Sequence, residues 1–222
     1  MNTIYFVDFD HTIARRDVWD TVVRHFAEDA WQEWVGRYVR GEVSSRECNQ
    51  ALAQRIPPRP TEAAALIREV GLDPTFADFY AWLEARGLPM QIVSDGYDYY
   101  IDLLLREAGL PPIPRYSNAL QWTEEGIQVR FPYSHADCER DMAHCKCQRV
   151  YEAQGMRRVY IGDGISDYCA ARRCERIYAK RNLLQYCQDQ GIPHVPFDNF
   201  HEIIQCEMDW FARRDRPEAP VP

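Results

Sequence analysis

Asp8 and Asp10 stand two residues apart, at the end of the short apolar run Ile4-Tyr5-Phe6-Val7. One carboxylate of such a pair can attack phosphorus and form an acyl phosphate. The other can protonate the leaving oxygen and later take a proton from water. Two further acids, Asp163 and Asp167, lie in Gly162-Asp163-Gly164-Ile165-Ser166-Asp167, directly after the run Arg158-Val159-Tyr160-Ile161. Four carboxylates brought together repel one another unless some are protonated or a cation is bound. Oxygen donors with room left for water suit a hard ion, and Mg²⁺ binds through one or two carboxylates plus substrate phosphate. Ser94-Asp95-Gly96 closes a third run, Pro89-Met90-Gln91-Ile92-Val93, and offers a hydroxyl and backbone amides to phosphoryl oxygens. A cation is still needed beside the nucleophile. Lys146, flanked by Cys145 and Cys147, is the candidate.

These groups meet only if the runs that carry them are parallel strands ending at one edge. Strands alternating with helices along the chain predict an α/β fold with a parallel sheet covered on both faces, and ligands then bind outside the carboxyl ends of the strands. Residues 15–87 read differently, as several helices with no convincing strand. Ser44-Ser45-Arg46-Glu47 has capping-box spacing, Thr61 is a plausible cap for a helix ending at Gly71, and Asp73-Pro74 opens another that stops at Gly87. The division expected is a core from residues 1–14 and 88–222, with residues 15–87 inserted as a helical cap. Within the core the pattern predicts a helix over 97–108, a hairpin over 119–131, and a long helix over 137–154 that contains Lys146. After the Val159 strand it predicts a helix from about Ser166, a strand over 177–179 and a helix over 183–190. An edge strand at 194–196, a final helix over 199–213 and a frayed Pro-rich tail at 215–222 complete the reading.

Asp8-Phe9-Asp10-His11-Thr12, Ser94-Asp95-Gly96, Lys146 and Gly162-Asp163-Gly164-Ile165-Ser166-Asp167 together resemble the ordered motifs of the haloacid dehalogenase superfamily. A lone Asp-x-Asp-x-Thr is a weak signal, whereas these motifs in order span nearly the whole chain. The resemblance implies a Rossmann-like core, with Asp8 as nucleophile and Asp10 as general acid and base. It implies Mg²⁺ held by Asp8, the Asp10 backbone carbonyl and Asp163, with Asp167 organising them. Thr12, Ser94, Asp95, Gly96 and Lys146 would serve the phosphate and the nucleophile loop. The insert resembles the cap of the phosphoserine-phosphatase-like branch. Two stretches, His144-Cys145-Lys146-Cys147 and Tyr178 through Phe197, are similar to the methionine-salvage phosphatases of that branch and to their phosphocholine and phosphoethanolamine phosphatase relatives. His11 departs from the small residue that is commonest at its position.

Composition excludes several other functions. The 222 residues carry 26 Lys+Arg against 34 Asp+Glu, a net charge of −8, which argues against general nucleic-acid binding. The longest apolar runs, such as Ala63 to Ile67, are five residues, far short of the ~20 a membrane helix needs. Met1 to Asp8 shows no secretory pattern, so a cytoplasmic protein with reduced thiols is expected, as a monomer or homodimer acting on a small phosphorylated metabolite.

Other residues invite a functional and a plainer reading. Arg15 and Arg16 could meet a second polar group of the substrate, but a solvated entry to the cap is favoured. His11 is read as a leaving-group contact or an exposed turn residue. His135, Cys138, His144, Cys145 and Cys147 could contribute zinc ligands, although Cys145 and Cys147 straddle Lys146 and point to different sides of a helix, so all five cannot share one ion in regular geometry. A disulfide or simple reduced thiols are the alternatives. Trp19, Phe26, Trp31, Trp34 and Tyr38 fall at roughly helical spacing and read as cap core, a minority lining an apolar pocket. Two alternatives to a phosphatase remain open on the residues alone. One is a phosphotransferase, in which an alcohol replaces water; the other is a zinc-stabilised binding module with an idle core.

Overall fold

A computed structural model describes residues 2–138 and 140–214; the Pro-rich tail therefore lies outside the described residues. Strand β1 (Thr3–Val7) is buried along its whole length, as expected of a continuous apolar run in a parallel sheet. It pairs in parallel with β2 (Met90–Tyr97) on one side and β5 (Arg157–Gly162) on the other. Beyond β2 lie β3 (Arg115–Thr123) and the antiparallel β4 (Gly126–Arg130). Beyond β5 lie β6 (Arg176–Ala179) and β7 (Val195–Pro196), giving the order β4-β3-β2-β1-β5-β6-β7. The chain first builds outward on the β2 side of β1, then returns to build on the β5 side. That reversal makes a crevice beyond the carboxyl end of β1.

Between β1 and β2 run α1 (Val18–Val39), α2 (Ser45–Ala53), α3 (Pro60–Val70) and α4 (Phe76–Glu84). The capping box is present, with Ser44 Oγ accepting from the Glu47 amide and Glu47 Oε2 accepting from the Ser44 amide. Thr61 is not a cap: α3 starts one residue earlier, at Pro60, whose fixed φ suits a first turn. Asp73 does hold the entry to α4, its Oδ1 accepting from the amide and hydroxyl of Thr75. None of the described helices is long and apolar enough to cross a membrane.

Successive residues of β1 point to opposite faces, so Tyr5 and Val7 join one apolar core while Ile4 and Phe6 join the other. On the first face α4 packs against α9 (Phe200–Arg214), where Phe79 sits 5.9 Å from the Tyr5 ring and 5.2 Å from Phe200. Glu207 of α9 is fully buried there. Its carboxylate takes both outer nitrogens of Arg157 at 2.6 and 2.8 Å, and the hydroxyls of Tyr5 and Tyr178 at 2.6 and 2.7 Å. Burial pushes the Glu207 pKa up, but the hydrogen bonds from Arg157 and Tyr5 outweigh it and leave a net lowering. A lowered folded pKa means that the unfolded chain binds the proton more readily. The stabilisation is thus present above the ordinary Glu value of about 4.3 and is lost as pH falls through the folded value. Glu207→Gln strands a buried guanidinium and is expected to cost about 3–5 kcal/mol at neutral pH. Urea melts should show the gap from wild type narrowing below about pH 4; a constant gap would contradict the account.

Two elements differ from expectation. β2 does not stop at Val93; its pairing with β3 breaks register between Val93 and Tyr97, and the strand continues through Ser94-Asp95-Gly96 before α5 (Asp98–Glu107) begins. A bulge of this kind re-aims side chains at a strand's end. The helix expected over 137–154 is confined among the described residues to α6 (Lys146–Glu152), and residues 131–138 and 140–145 form an irregular crossing. Long-range bonds outcompete the helix there. The Cys145 amide donates to Tyr133 O, the His144 amide to Asp95 Oδ1, and the His144 ring bonds Ser94 O at 2.8 Å.

Candidate active site

Asp8 leaves β1 at the crevice and leads into a single widened turn, Phe9–Ile13, in which His11 takes a left-handed φ of 58°. The Asp8 carboxylate is held from two sides. Lys146 Nζ donates to Oδ1 at 2.5 Å, and Thr12 donates its hydroxyl to Oδ2 at 3.2 Å. The same ammonium donates to Asp167 Oδ1 at 2.6 Å. Lys146 is 1% exposed, the first residue of α6, and its charge is shared between these two acids. Burial pulls its pKa down, yet Asp167 and Asp8 prevail and leave it above the usual lysine value. Asp167 is fully committed. Besides Lys146 it accepts from Tyr160 Oη at 2.6 Å and from the Asp163 and Gly164 amides at 3.0 and 2.9 Å.

Asp10 points elsewhere from the same turn. The Val18 amide at the start of α1 donates to its Oδ1 at 2.8 Å, and Tyr100 Oη donates to its Oδ2 at 2.7 Å. Burial pushes its pKa to about 7, against the pull of those two hydrogen bonds. Asp8 is raised to about 6 by burial and the nearby Asp167, with Lys146 opposing. Asp163 is raised to about 9 by burial and by Asp8 and Asp167. Ligand oxygens of Asp8, Asp163 and Asp167 all lie within 4.8 Å of one another. Three buried carboxylates with one internal ammonium form an all-oxygen cluster short of positive charge. A hard divalent cation fits it.

The site opens into a cavity of about 330 Å³ between the strand ends and the inserted helices. Ser94 lies at its floor, its Oγ accepting from the Gly96 amide at 3.0 Å, so its own proton is left to donate. Trp19, Val35, Leu52 and Met142 are among its apolar lining, and Asp20 and Asn49 among the polar groups that the inserted helices add.

Several expected site residues lie where their assigned contacts do not. Lys146 is behind Asp8 and does not line the cavity, so its ammonium neutralises Asp8 and Asp167 rather than facing the open space. Thr12 is fully buried and serves Asp8. The Asp95 carboxylate is taken up by the Ser45 hydroxyl at 2.9 Å and the His144 amide at 2.7 Å, fastening α2 and the 131–145 crossing to β2; an acid so placed does not attract phosphate. Gly96 acts through lack of a side chain, since a Cβ there would overlap the Tyr100 hydroxyl and crowd Asp10 Oδ2. Arg15 and Arg16 donate to the carbonyls of Val70 and Glu69, closing the end of α3, and do not line the cavity. His11 does line it, and burial with Arg181 and Lys180 nearby lowers its pKa to about 4, leaving a neutral imidazole. The five His and Cys residues around Lys146 do not meet at one point, although the Cys145 thiol lies between those of Cys138 and Cys147. His135 is exposed and His144 buried against Ser94, and among the described residues only the three aspartates assemble three metal-ligand atoms.

Tyr100, Tyr160, Ser45 and Arg181 are site residues that the sequence motifs do not single out. A signal exists for the last. Lys180-Arg181-Asn182 stands directly after β6, the position that supplies Asp8 after β1 and Asp163 after β5.

The sequence profile of the haloacid dehalogenase-like hydrolases matches residues 5–172, from β1 through the Asp163–Asp167 loop. The chain belongs to that family. Among curated proteins it is 27% identical over 207 residues to the 2-hydroxy-3-keto-5-methylthiopentenyl-1-phosphate phosphatase of Brevibacillus brevis, covering 91% of this chain and 93% of that one. It is 28% identical over 207 residues to the protein of the same name from Geobacillus kaustophilus, with 90% and 93% covered. Among solved structures, a phosphoserine phosphatase captured as an analogue of its phospho-aspartyl intermediate superposes with a TM-score of 0.68 at 14% identity, over 92% of this chain and 98% of that one. A phosphoserine phosphatase from T. onnurineus gives 0.68 at 13% identity, over 92% and 94%. At such identities these likenesses concern the fold alone, and they extend over the inserted helices of this hydrolase as well as its sheet.

Proposed function

We propose that this hydrolase is a Mg²⁺-dependent phosphatase that cleaves a small phosphorylated metabolite through an aspartyl phosphate on Asp8. The observation that carries the reading is the pairing of two carboxyls in different surroundings at one strand end. Asp8 is clamped by Lys146 and Thr12 as an anion aimed at the crevice, while Asp10 sits near pKa 7 on Tyr100, poised to give or take a proton. Asp8 attacks phosphorus in line, the Asp10 carboxyl protonates the departing alcohol, and the Asp10 carboxylate then takes a proton from the water that opens the acyl phosphate. Ser94 donates its hydroxyl to a phosphoryl oxygen. Mg²⁺, held by the Asp8 and Asp163 carboxylates and the Asp10 main-chain carbonyl, supplies charge neutralisation to the phosphoryl group when bound. Asp167 is the organiser, because its oxygens are already filled by Lys146, Tyr160 and two amides.

Residues 15–87 act as the cap over a core of residues 1–14 and 88–222, with α1 and α2 walling the cavity while α4 packs on the sheet. Exclusion of bulk water by those walls favours transfer over leakage of the intermediate. The apolar wall of Trp19, Val35, Leu52 and Met142 suits an organic group with a methylthio end, as named for the curated relatives. We place the enzyme in the cytoplasm, as a monomer or homodimer. The test is phosphate release from a panel with and without chelator. Mg²⁺-dependent turnover of the methylthiopentenyl phosphate is expected to exceed that of phosphoserine and phosphocholine. A higher kcat/KM for either of those overturns the substrate assignment, and chelator-resistant turnover overturns the metal.

A further inference from the structure

Six aspartates line the cavity, namely Asp8, Asp10, Asp17, Asp20, Asp95 and Asp163. Arg181 is the one arginine or lysine among the described residues lining it. Lys146 cannot serve an incoming anion, since it is buried behind Asp8 and divided between two acids. Lys180 is engaged too, its ammonium lying 4.9 Å from the centre of the Phe197 ring. A phosphoryl dianion entering such an acid-walled space needs a cation that is both in the wall and not consumed by it.

Arg181 meets both conditions. Its side chain is 55% exposed, and it touches Asp163 Oδ2 through Nε at 3.2 Å, which leaves the rest of its planar donor fork available. Asp163 in turn lies in the three-carboxylate cluster with Asp8. The backbone fixes this placement. The Lys180 amide donates to Gly162 O at 3.2 Å and the Leu183 amide to Asp163 O at 2.8 Å, so the start of α8 (Arg181–Asp189) is tied to the Asp163 loop. Arg181 itself is held at a left-handed φ of 50°. Its charge also reaches across the mouth, where it helps to keep His11 neutral.

We infer that Arg181 is a phosphate-recognition residue of this site, pairing with Asp163 while no divalent cation is bound and donating to phosphoryl oxygens when that carboxylate is otherwise engaged. The inference rests on the proposed phosphatase reading and deepens it. It assigns the anion-selective contact to a side chain after β6, outside the motifs at Asp8–Thr12, Ser94–Gly96, Lys146 and Gly162–Asp167. Arginine suits the task because its fork matches phosphate geometry.

The test uses the full chain with Arg181→Gly, which a left-handed φ accepts without strain, and Arg181→Lys, which keeps charge but loses the fork. Calorimetric titrations would measure Mg²⁺ alone, then inorganic phosphate at saturating Mg²⁺. R181G is expected to bind Mg²⁺ more tightly than wild type, because a competing cation has left Asp163. It should bind phosphate about tenfold more weakly, with R181K between the two. In turnover the loss should fall on KM more than on kcat. Phosphate affinity within twofold of wild type, or weaker Mg²⁺ binding in R181G, overturns the inference. If no phosphomonoester proved to be a substrate, the two titrations would still decide the role of Arg181. If the titrations failed in an active enzyme, the phosphatase reading would stand.

Discussion

Replacing Asp8 by Asn is expected to lower Mg²⁺-dependent turnover of an aryl phosphate by a factor on the order of 10⁴ or more, since removal of a covalent nucleophile leaves only binding and electrostatic assistance. The substitution is nearly isosteric. The carbonyl oxygen of the introduced amide can still accept from Lys146 at the position of Oδ1, so the turn and α6 should stay in place. Asp8 is also a carboxylate that burial and Asp167 push up to about 6, so a neutral amide removes a destabilised charge. D8N should therefore melt within a few degrees of wild type while losing activity and the hydroxylamine-labile mass increment of a phosphate on this residue. Retention of turnover within tenfold, at unchanged Mg²⁺ dependence, would sink the aspartyl-phosphate mechanism.

Legibility in the sequence divides by the range of the interactions involved. Ile4 to Val7, Pro89 to Val93 and Arg158 to Ile161 are readable because a strand buried on both faces needs an unbroken apolar run, and an acid after such a run has little to do in a core. The Ser44–Glu47 box is readable because both of its hydrogen bonds are local. What the sequence hides is non-local. Residues 137–145 carry helix-compatible types, but the amides of His144 and Cys145 are bound to Asp95 and Tyr133, and the His144 ring to Ser94 O. No window of the sequence reveals those partners. Asp95 misleads for the same reason. Its place after an apolar run suggests a phosphate contact, whereas its oxygens fasten an inserted helix to the strand. Tyr100 is invisible because its value lies in the single hydroxyl that reaches Asp10 across a glycine.

The negative total charge is consistent with an anionic substrate once placement is considered. Many of the acids are on solvated helices, and those in the crevice require cations, which Lys146 supplies from behind and Arg181 from the mouth. Net charge bears on general association, while a phosphoryl group responds to the field within a Debye length of the crevice, about 8 Å at physiological salt.

Lys146→Met provides the strongest test of that electrostatic account. Methionine roughly preserves side-chain length but leaves Asp8 and Asp167 buried side by side without an ammonium. Breaking a buried ion cluster by removing one partner costs about 3–5 kcal/mol. The cost has a definite pH dependence. Lys146 opposes the rise of the Asp8 pKa caused by burial and Asp167, so its removal raises that pKa beyond about 6. A carboxyl with a raised folded pKa binds its proton more readily in the folded state. Stability contributed by that proton is present below the unfolded value of about 4 and is lost as pH rises through the folded one. In chelator, the gap between wild type and K146M should therefore be small near pH 5 and widen by pH 8. Mg²⁺ should recover part of it by returning positive charge to Asp8. Turnover should still fall on the order of 10³-fold with Mg²⁺ present, because the charge that builds up around phosphorus in the transition state has lost the ammonium beside Asp8. A gap that is flat with pH, or turnover within tenfold of wild type, would mean that Lys146 is a packing residue and that the charge on Asp8 is set elsewhere.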